Sequence, residues 1–169
     1  MAGRYVVVGA SGILAPLGAL LRAAGVRTVG ISRGSRLGEG VWDERVALDT
    51  QDAGAVGDWV AGRAGEVSTV VAYSPAVADG GWPLLGGLAG RVMVVATSRW
   101  AGPGAPAPPW AGMPGVVVLQ LGWAAQGARS GRWHTPEEVS AAAMAELATP
   151  WTPRTVVLGS VRPWAARPR

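Results

Sequence analysis

Short apolar runs rich in β-branched residues alternate along the chain with alanine-rich segments whose apolar positions recur at helical spacing. The runs predict strands at Tyr5–Gly9, Thr28–Ser32, Val46–Asp49, Ser68–Tyr73, Val92–Thr97, Val116–Leu121 and Thr155–Gly159. Runs that are apolar throughout suit a parallel sheet covered on both faces. Between them the pattern predicts helices over Ile13–Ala24, Asp52–Ala64 and Pro136–Leu147. A weaker one spans Ala78–Leu88, where glycines and Pro83 interrupt the run. Gly25 is placed to close the first helix. Thr135 is placed to cap the last, with Pro136 in its first position and Glu137 and Glu138 at the positive end of its dipole. The expected fold class is α/β, a doubly wound, mostly parallel seven-stranded sheet with helices on both faces.

One stretch breaks the alternation. Residues 101–115, Ala-Gly-Pro-Gly-Ala-Pro-Ala-Pro-Pro-Trp-Ala-Gly-Met-Pro-Gly, cannot form a continuous helix. A parallel crossover normally carries a helix here, so a Pro-rich loop is expected to replace the helix between strands five and six. Pro106 to Pro109 also matches a PxxP ligand pattern, for which a rigid loop is the plainer account.

Composition narrows the function. The 169 residues, 49% hydrophobic, suffice for one domain with its own core, expected over residues 1–161 and followed by a frayed basic tail at 162–169. Fifteen arginines against eleven acids give a net charge of +4. Without Lys or Cys to titrate at intermediate pH, the isoelectric point rises to about 10.9. Outside the tail the arginines are scattered and not interleaved with aromatics, so no nucleic-acid partner is expected. The lack of Cys and the single His exclude disulfides, thiolate chemistry and a His- or Cys-rich metal site. No apolar stretch approaches the roughly 18 residues of a membrane span. The N-terminus runs into a strand rather than a signal sequence, so a cytoplasmic protein without membrane contact is expected.

The first strand breaks into Gly9-Ala10-Ser11-Gly12-Ile13-Leu14-Ala15. Glycines in such a turn let backbone amides approach a pyrophosphate, and the following helix directs its positive end at that charge. The second strand ends in Ser32-Arg33, with Arg36 nearby, where an NAD site would carry Asp or Glu. A guanidinium there would pair with a 2′-phosphate, so the expected cofactor is NADP(H) on a Rossmann-type fold.

At these residues the chain resembles the short-chain dehydrogenase/reductase superfamily. The glycine turn is similar to that of its extended and atypical branches. Arg132-Trp-His-Thr-Pro-Glu-Glu-Val-Ser140 resembles the Arg-x-x-Thr-Pro-Glu-Glu-Val-Ala segment that follows the sixth strand in the main reductase branch. The resemblance implies that Gly9, Ala10, Ser11, Gly12 and Ile13 cradle the cofactor and that Asp49 binds the adenine amino group. It also implies that Tyr73-Ser74-Pro75 lies beside the ribose and Ser98 at the position of the catalytic serine. Gly122, in Leu121-Gly122-Trp123, would border the nicotinamide. The chain departs from the family at the Tyr-x-x-x-Lys pair: the helix that carries it is replaced by the Pro-rich loop, and the sequence contains no Lys. A set of small Rossmann proteins with an Arg-Trp-x-Thr-x-Glu-Glu-(Val/Ile)-Ser segment is similar in this respect.

Four side chains are left as candidate catalytic groups. Tyr73, at the end of a central strand, either donates a proton or lines the ribose. Ser98 and Arg99 either orient a carbonyl and bind an oxyanion or carboxylate, or satisfy local strand-end groups. His134, the sole histidine, is either an acid near neutral pH or an ordinary loop residue before a helix cap. Trp100, Trp110, Trp123 and Trp133 either wall an apolar substrate site or pack. The leading expectation is an NADPH-dependent reductase of a small carbonyl, imine or activated alkene in a specialised biosynthetic pathway. A non-catalytic NADP(H)-binding regulator and a scaffold reassigned to cyclisation or isomerisation are the alternatives. The family's main dimer contact uses the missing helix, which leaves a homodimer through another edge open.

Overall fold

A computed structural model describes residues 3–34, 37–38, 40–126 and 129–168 of the chain. In chain order the strands are β1 (Arg4–Val8), β2 (Arg27–Ser32), β3 (Glu44–Ala47), β4 (Val67–Tyr73), β5 (Val92–Ala96), β6 (Val116–Leu121), β7 (Trp123–Gln126), β8 (Arg129–Trp133) and β9 (Arg154–Leu158). The helices are α1 (Ala15–Ala23), α2 (Ala53–Ala61), α3 (Gly81–Leu88) and α4 (Pro136–Leu147). Seven strands form one parallel sheet in the order β3-β2-β1-β4-β5-β6-β9. The order reverses between β1 and β4, and ligands of open α/β sheets bind outside the carboxyl ends of the strands at such a point.

The two-residue period of each strand sorts its side chains between two cores. Tyr5, Val7, Val71, Met93 and Val95 meet Leu14, which precedes α1, Leu17 and Leu21 of α1, and Val139, Ala143 and Leu147 of α4. Val6, Val8, Val70, Val92 and Val94 face the other way, against Val56 of α2 and Trp82, Leu85 and Leu88 of α3. Each such side chain contributes about 1.5–3 kcal/mol of burial, so both layers are held by the same alternating strands.

The helix starts depend on local chemistry. Pro16 sits in the first turn of α1, which begins at Ala15, two residues later than the spacing predicts, because residues 9–14 turn. Asp52 caps α2 rather than belonging to it, accepting from the Gly54 and Ala55 amides. Thr135 and Glu138 close a capping box on α4.

The Pro-rich stretch carries no helix beyond a 3₁₀ turn over Ser98–Ala101. Tryptophans anchor it instead: Trp110 is 5% exposed and stands edge-on to Trp82 at 4.9 Å and to Trp100 at 5.1 Å. Two features differ from expectation. Trp123–Gln126 and Arg129–Trp133 pair antiparallel as β7 and β8, pinned to the main sheet by reciprocal Trp123–Ser160 backbone bonds of 2.9 Å. The C-terminal segment, expected to fray, docks through Arg162 Nη1 on the Ala101 carbonyl at 2.9 Å and Trp164 on Trp123 at 6.1 Å. Among the described residues no helix is long and apolar enough to cross a membrane.

Candidate functional site

The glycine turn opens the site. Gly9 has φ +89°, a conformation that side chains with a Cβ disfavour, and a Cβ there would lie 3.1 Å from Tyr73 Cβ. The amides of Gly9 and Ala10 both donate to the Ile31 carbonyl at 3.1 Å, and that of Gly12 donates to Gly9 O at 3.1 Å. Those bonds fix the turn and bury Ala10. Among the described residues no protein acceptor meets the Ser11 and Ile13 amides. A Cβ on Gly12 would touch nothing closer than Gly9 O at 3.8 Å, so this face of the turn is open.

The open face bounds a cavity of about 350 Å³ lined by Gly9, Ser11, Gly12, Ile13, Ser32, Arg33, Thr50, Gln51 and Tyr73. Ser32 Oγ donates to Gly34 O at 2.6 Å, which leaves its lone pairs free to accept. Arg33 is exposed and has no ion-pair partner among the described residues. Arg36 lies outside the described residues. Asp49 does not line this cavity; it is exposed, and its Oδ1 accepts from the Gln51 amide at 3.1 Å. It thereby shapes the turn that presents Thr50 and Gln51, which in turn donate to the carbonyls of Ala76 and Pro75. The floor of the cleft is therefore tied to the end of β4.

A second cavity of about 250 Å³ shares Ile13 and Tyr73 with the first. Its wall gathers Thr97, Ser98, Gly122, Trp133, His134 and Arg167, with Leu121 and Val139 as apolar lining. Three of the four catalytic candidates, Tyr73, Ser98 and His134, thus meet around one space. The end of β5 is held rigidly: Gln120 Nε2 lies 3.2 Å from Ala96 O and 2.9 Å from Thr97 O, and the Thr97 amide donates to Ser74 Oγ at 3.3 Å. Thr97 Oγ1 is buried without a partner. Burial raises the Tyr73 phenol above its ordinary pKa of 10, so it is neutral, a hydrogen-bond donor, at physiological pH. Gly122 is required by close packing, since a Cβ would lie 2.2 Å from Ser160 O.

His134 is held at one nitrogen and enclosed at the other. Nδ1 lies 3.3 Å from Glu138 Oε2. Nε2 is buried without a hydrogen bond, against Gly159, where a Cβ would come within 2.5 Å of it. Glu138 is itself clamped by Arg132 through bonds of 2.7 and 2.6 Å and by the Thr135 amide at 2.9 Å. These donors hold its carboxyl down at about 2, the Arg132 hydrogen bonds first and the Thr135 amide second. The histidine is therefore a fixed piece of wall that joins α4 to the β7–β8 pair.

Arg99 goes elsewhere. Successive residues of a 3₁₀ turn are about 120° apart, and Arg99, next to Ser98 in the chain, faces a different cavity, of about 360 Å³, that also includes Trp82, Trp100 and Trp110. There its guanidinium lies 4.6 Å from the Trp100 ring centre. The tryptophans consequently divide: Trp133 lines the second cavity and Trp123 is buried beneath it, while Trp100 and Trp110 line the third. Thr97 and Arg167 are cavity residues that sequence reasoning missed. The end of a buried strand could have pointed to Thr97; Arg167 reaches the site only by tertiary docking.

No family model matches the chain, and no curated protein matches it in sequence. Solved structures share its architecture. A short-chain dehydrogenase/reductase from Vibrio parahaemolyticus superposes with a TM-score of 0.66 at 14% identity, over 92% of this chain and 98% of that one. ChuY of Escherichia coli CFT073 gives 0.66 at 14% identity, over 95% and 97%. The NADH-dependent reductase A1-R′, complexed with NAD, gives 0.62 at 13% identity, over 94% and 95%. At these identities the likeness establishes the fold: a Rossmann-type sheet of the kind found in short-chain dehydrogenase/reductase structures.

Proposed function

We propose that the chain binds NADP(H) along the cleft and reduces a small carbonyl, imine or activated alkene. The observation that carries this reading is the cleft: two adjoining cavities, bounded by a glycine turn, lined by Arg33 in one and Arg167 in the other, with no Asp or Glu on either wall among the described residues. A dinucleotide fits it because, among the described residues, the Ser11 and Ile13 amides lack protein acceptors, Gly12 faces open space and Arg33 has no ion-pair partner. Gly9, Ser11, Gly12 and Ile13 would hold the pyrophosphate, Ser32 and Arg33 the 2′-phosphorylated ribose, and Tyr73 and Gly122 the nicotinamide end.

When bound, the nicotinamide supplies the hydride. The protein must then orient the acceptor and stabilise the charge that develops on it. Tyr73, kept neutral by burial, donates a hydrogen bond to the acceptor's oxygen or nitrogen, with the Ser98 hydroxyl as a further partner. Tyr73 or water delivers the proton, since His134 Nδ1 is engaged by Glu138 and its Nε2 is buried against Gly159.

Titration with NADPH, read as energy transfer from tryptophan to the dihydronicotinamide, tests the reading. Micromolar binding, with NADPH about tenfold tighter than NADH, is expected; binding of neither would overturn it. One observation favours a second reading, a non-catalytic NADP(H)-binding partner: burial moves Tyr73 away from proton release, and the chain has no Lys to counter this. Tight NADPH binding without oxidation across a panel of carbonyls, imines and enones would select that reading.

A further inference from the structure

Docking of the C-terminal segment brings a cation to the mouth of the second cavity. Trp164 closes on Gly102, where a Cβ would lie 3.3 Å from its ring, and Arg167 joins the cavity wall beside Trp133. The Arg167 guanidinium carbon is 5.3 Å from the Trp133 ring centre and 5.2 Å from that of Trp164. Among the described residues no carboxylate pairs with it. The charge thus sits against two indole rings, and the planar N–H fork of a guanidinium matches a carboxylate in bidentate fashion. Trp133 beside it is 38% exposed, an uncovered apolar surface for its size. The same cavity is bounded by Thr97, whose Oγ1 is buried without a partner.

We infer that the substrate carries a carboxylate, held by Arg167, on a flat apolar body that lies against Trp133, Leu121 and Val139. Only the placing of a reducible group toward Tyr73 and Ser98 rests on the reductase reading; the carboxylate rests on the cavity itself. The anion belongs to the substrate rather than the cofactor, because Arg167 lies in the cavity beyond Ile13 and Tyr73, away from the glycine turn and Arg33. Its requirements are thus one anionic end, one hydrogen-bonding end and an apolar middle, as in an acyl-substituted benzoate.

Calorimetric titration of the full chain with 4-acetylbenzoate and with its methyl ester, with and without NADP⁺, tests this inference. The acid is expected to bind about tenfold more tightly than the ester. Arg167→Gln should bring the acid's affinity down to the ester's, leave the ester unchanged and leave NADPH binding within about twofold, while Arg167→Lys falls between. Equal affinity of acid and ester for the unaltered protein, which requires no variant to fold, would overturn it. So would acid binding weaker than about 10 mM, a parallel loss of acid and ester in Arg167→Gln, or a loss of NADPH affinity in its place. Failure of NADPH to bind while the acid preference persists would sink the reductase reading and spare this one.

Discussion

At the scale of single residues, backbone geometry and charge divide the work of the cleft. Gly9 combines a positive φ of +89° with close approach to Tyr73. Gly9→Ala is therefore expected to cost about 1–2 kcal/mol of stability and to weaken NADPH by more than about tenfold, measurable by urea unfolding and by titration. Arg33 plays a different part, because its exposed guanidinium touches nothing that holds the fold. Arg33→Ser should leave the melting temperature unchanged and cut the NADPH-over-NADH preference by about tenfold or more, the worth of a charged hydrogen bond.

At the scale of elements, the N-terminus of α4 is a junction. Thr135 caps the helix, Glu138 returns to the Thr135 amide, and Arg132 of β8 grips both oxygens of the same carboxylate. Thr135→Ala should cost about 1 kcal/mol. The Glu138 carboxyl titrates at about 2 in the fold against an ordinary 4.5. A depressed carboxylate stabilises the fold fully above its unfolded pKa and loses that contribution as pH falls through the folded one. The gap in melting temperature between the unaltered protein and Glu138→Gln should accordingly be constant above about pH 5 and close between pH 4.5 and 2. A gap that persists at pH 2 would mean that the carboxylate is not the anchor.

At the scale of the molecule, the sheet and the segment that crosses its β2 side are fitted together through missing side chains. A Cβ at Gly30 would lie 2.6 Å from the Trp42 ring, and one at Gly18 would lie 2.7 Å from Val41 and 2.8 Å from Trp42. Gly18→Ala would stabilise an exposed helix; here both it and Gly30→Ala should destabilise by about 1–3 kcal/mol. Thermal melts should drop by roughly 2–4 °C per kcal/mol for a chain of this size.

The sequence by itself determined what depends on neighbours along the chain. Strands came from apolar runs, the glycine turn from its spacing, and the span of α4 from Thr135, Pro136 and the acids that follow, all of which act within one turn of backbone. The tertiary structure alone decided what depends on residues far apart. The β7–β8 pair is tied to the main sheet by Trp123 pairing with Ser160, far along the chain. Ser98 and Arg99, adjacent in sequence, face separate cavities because a 3₁₀ turn rotates them apart. His134 cannot be recognised as wall until Glu138 and Gly159 are seen on either side of it. Arg167 becomes part of the site because Trp164 finds Trp123, some forty residues away in the chain, at 6.1 Å. Local spacing fixes backbone conformation over a few residues; burial of large side chains against distant partners determines which groups share a cavity.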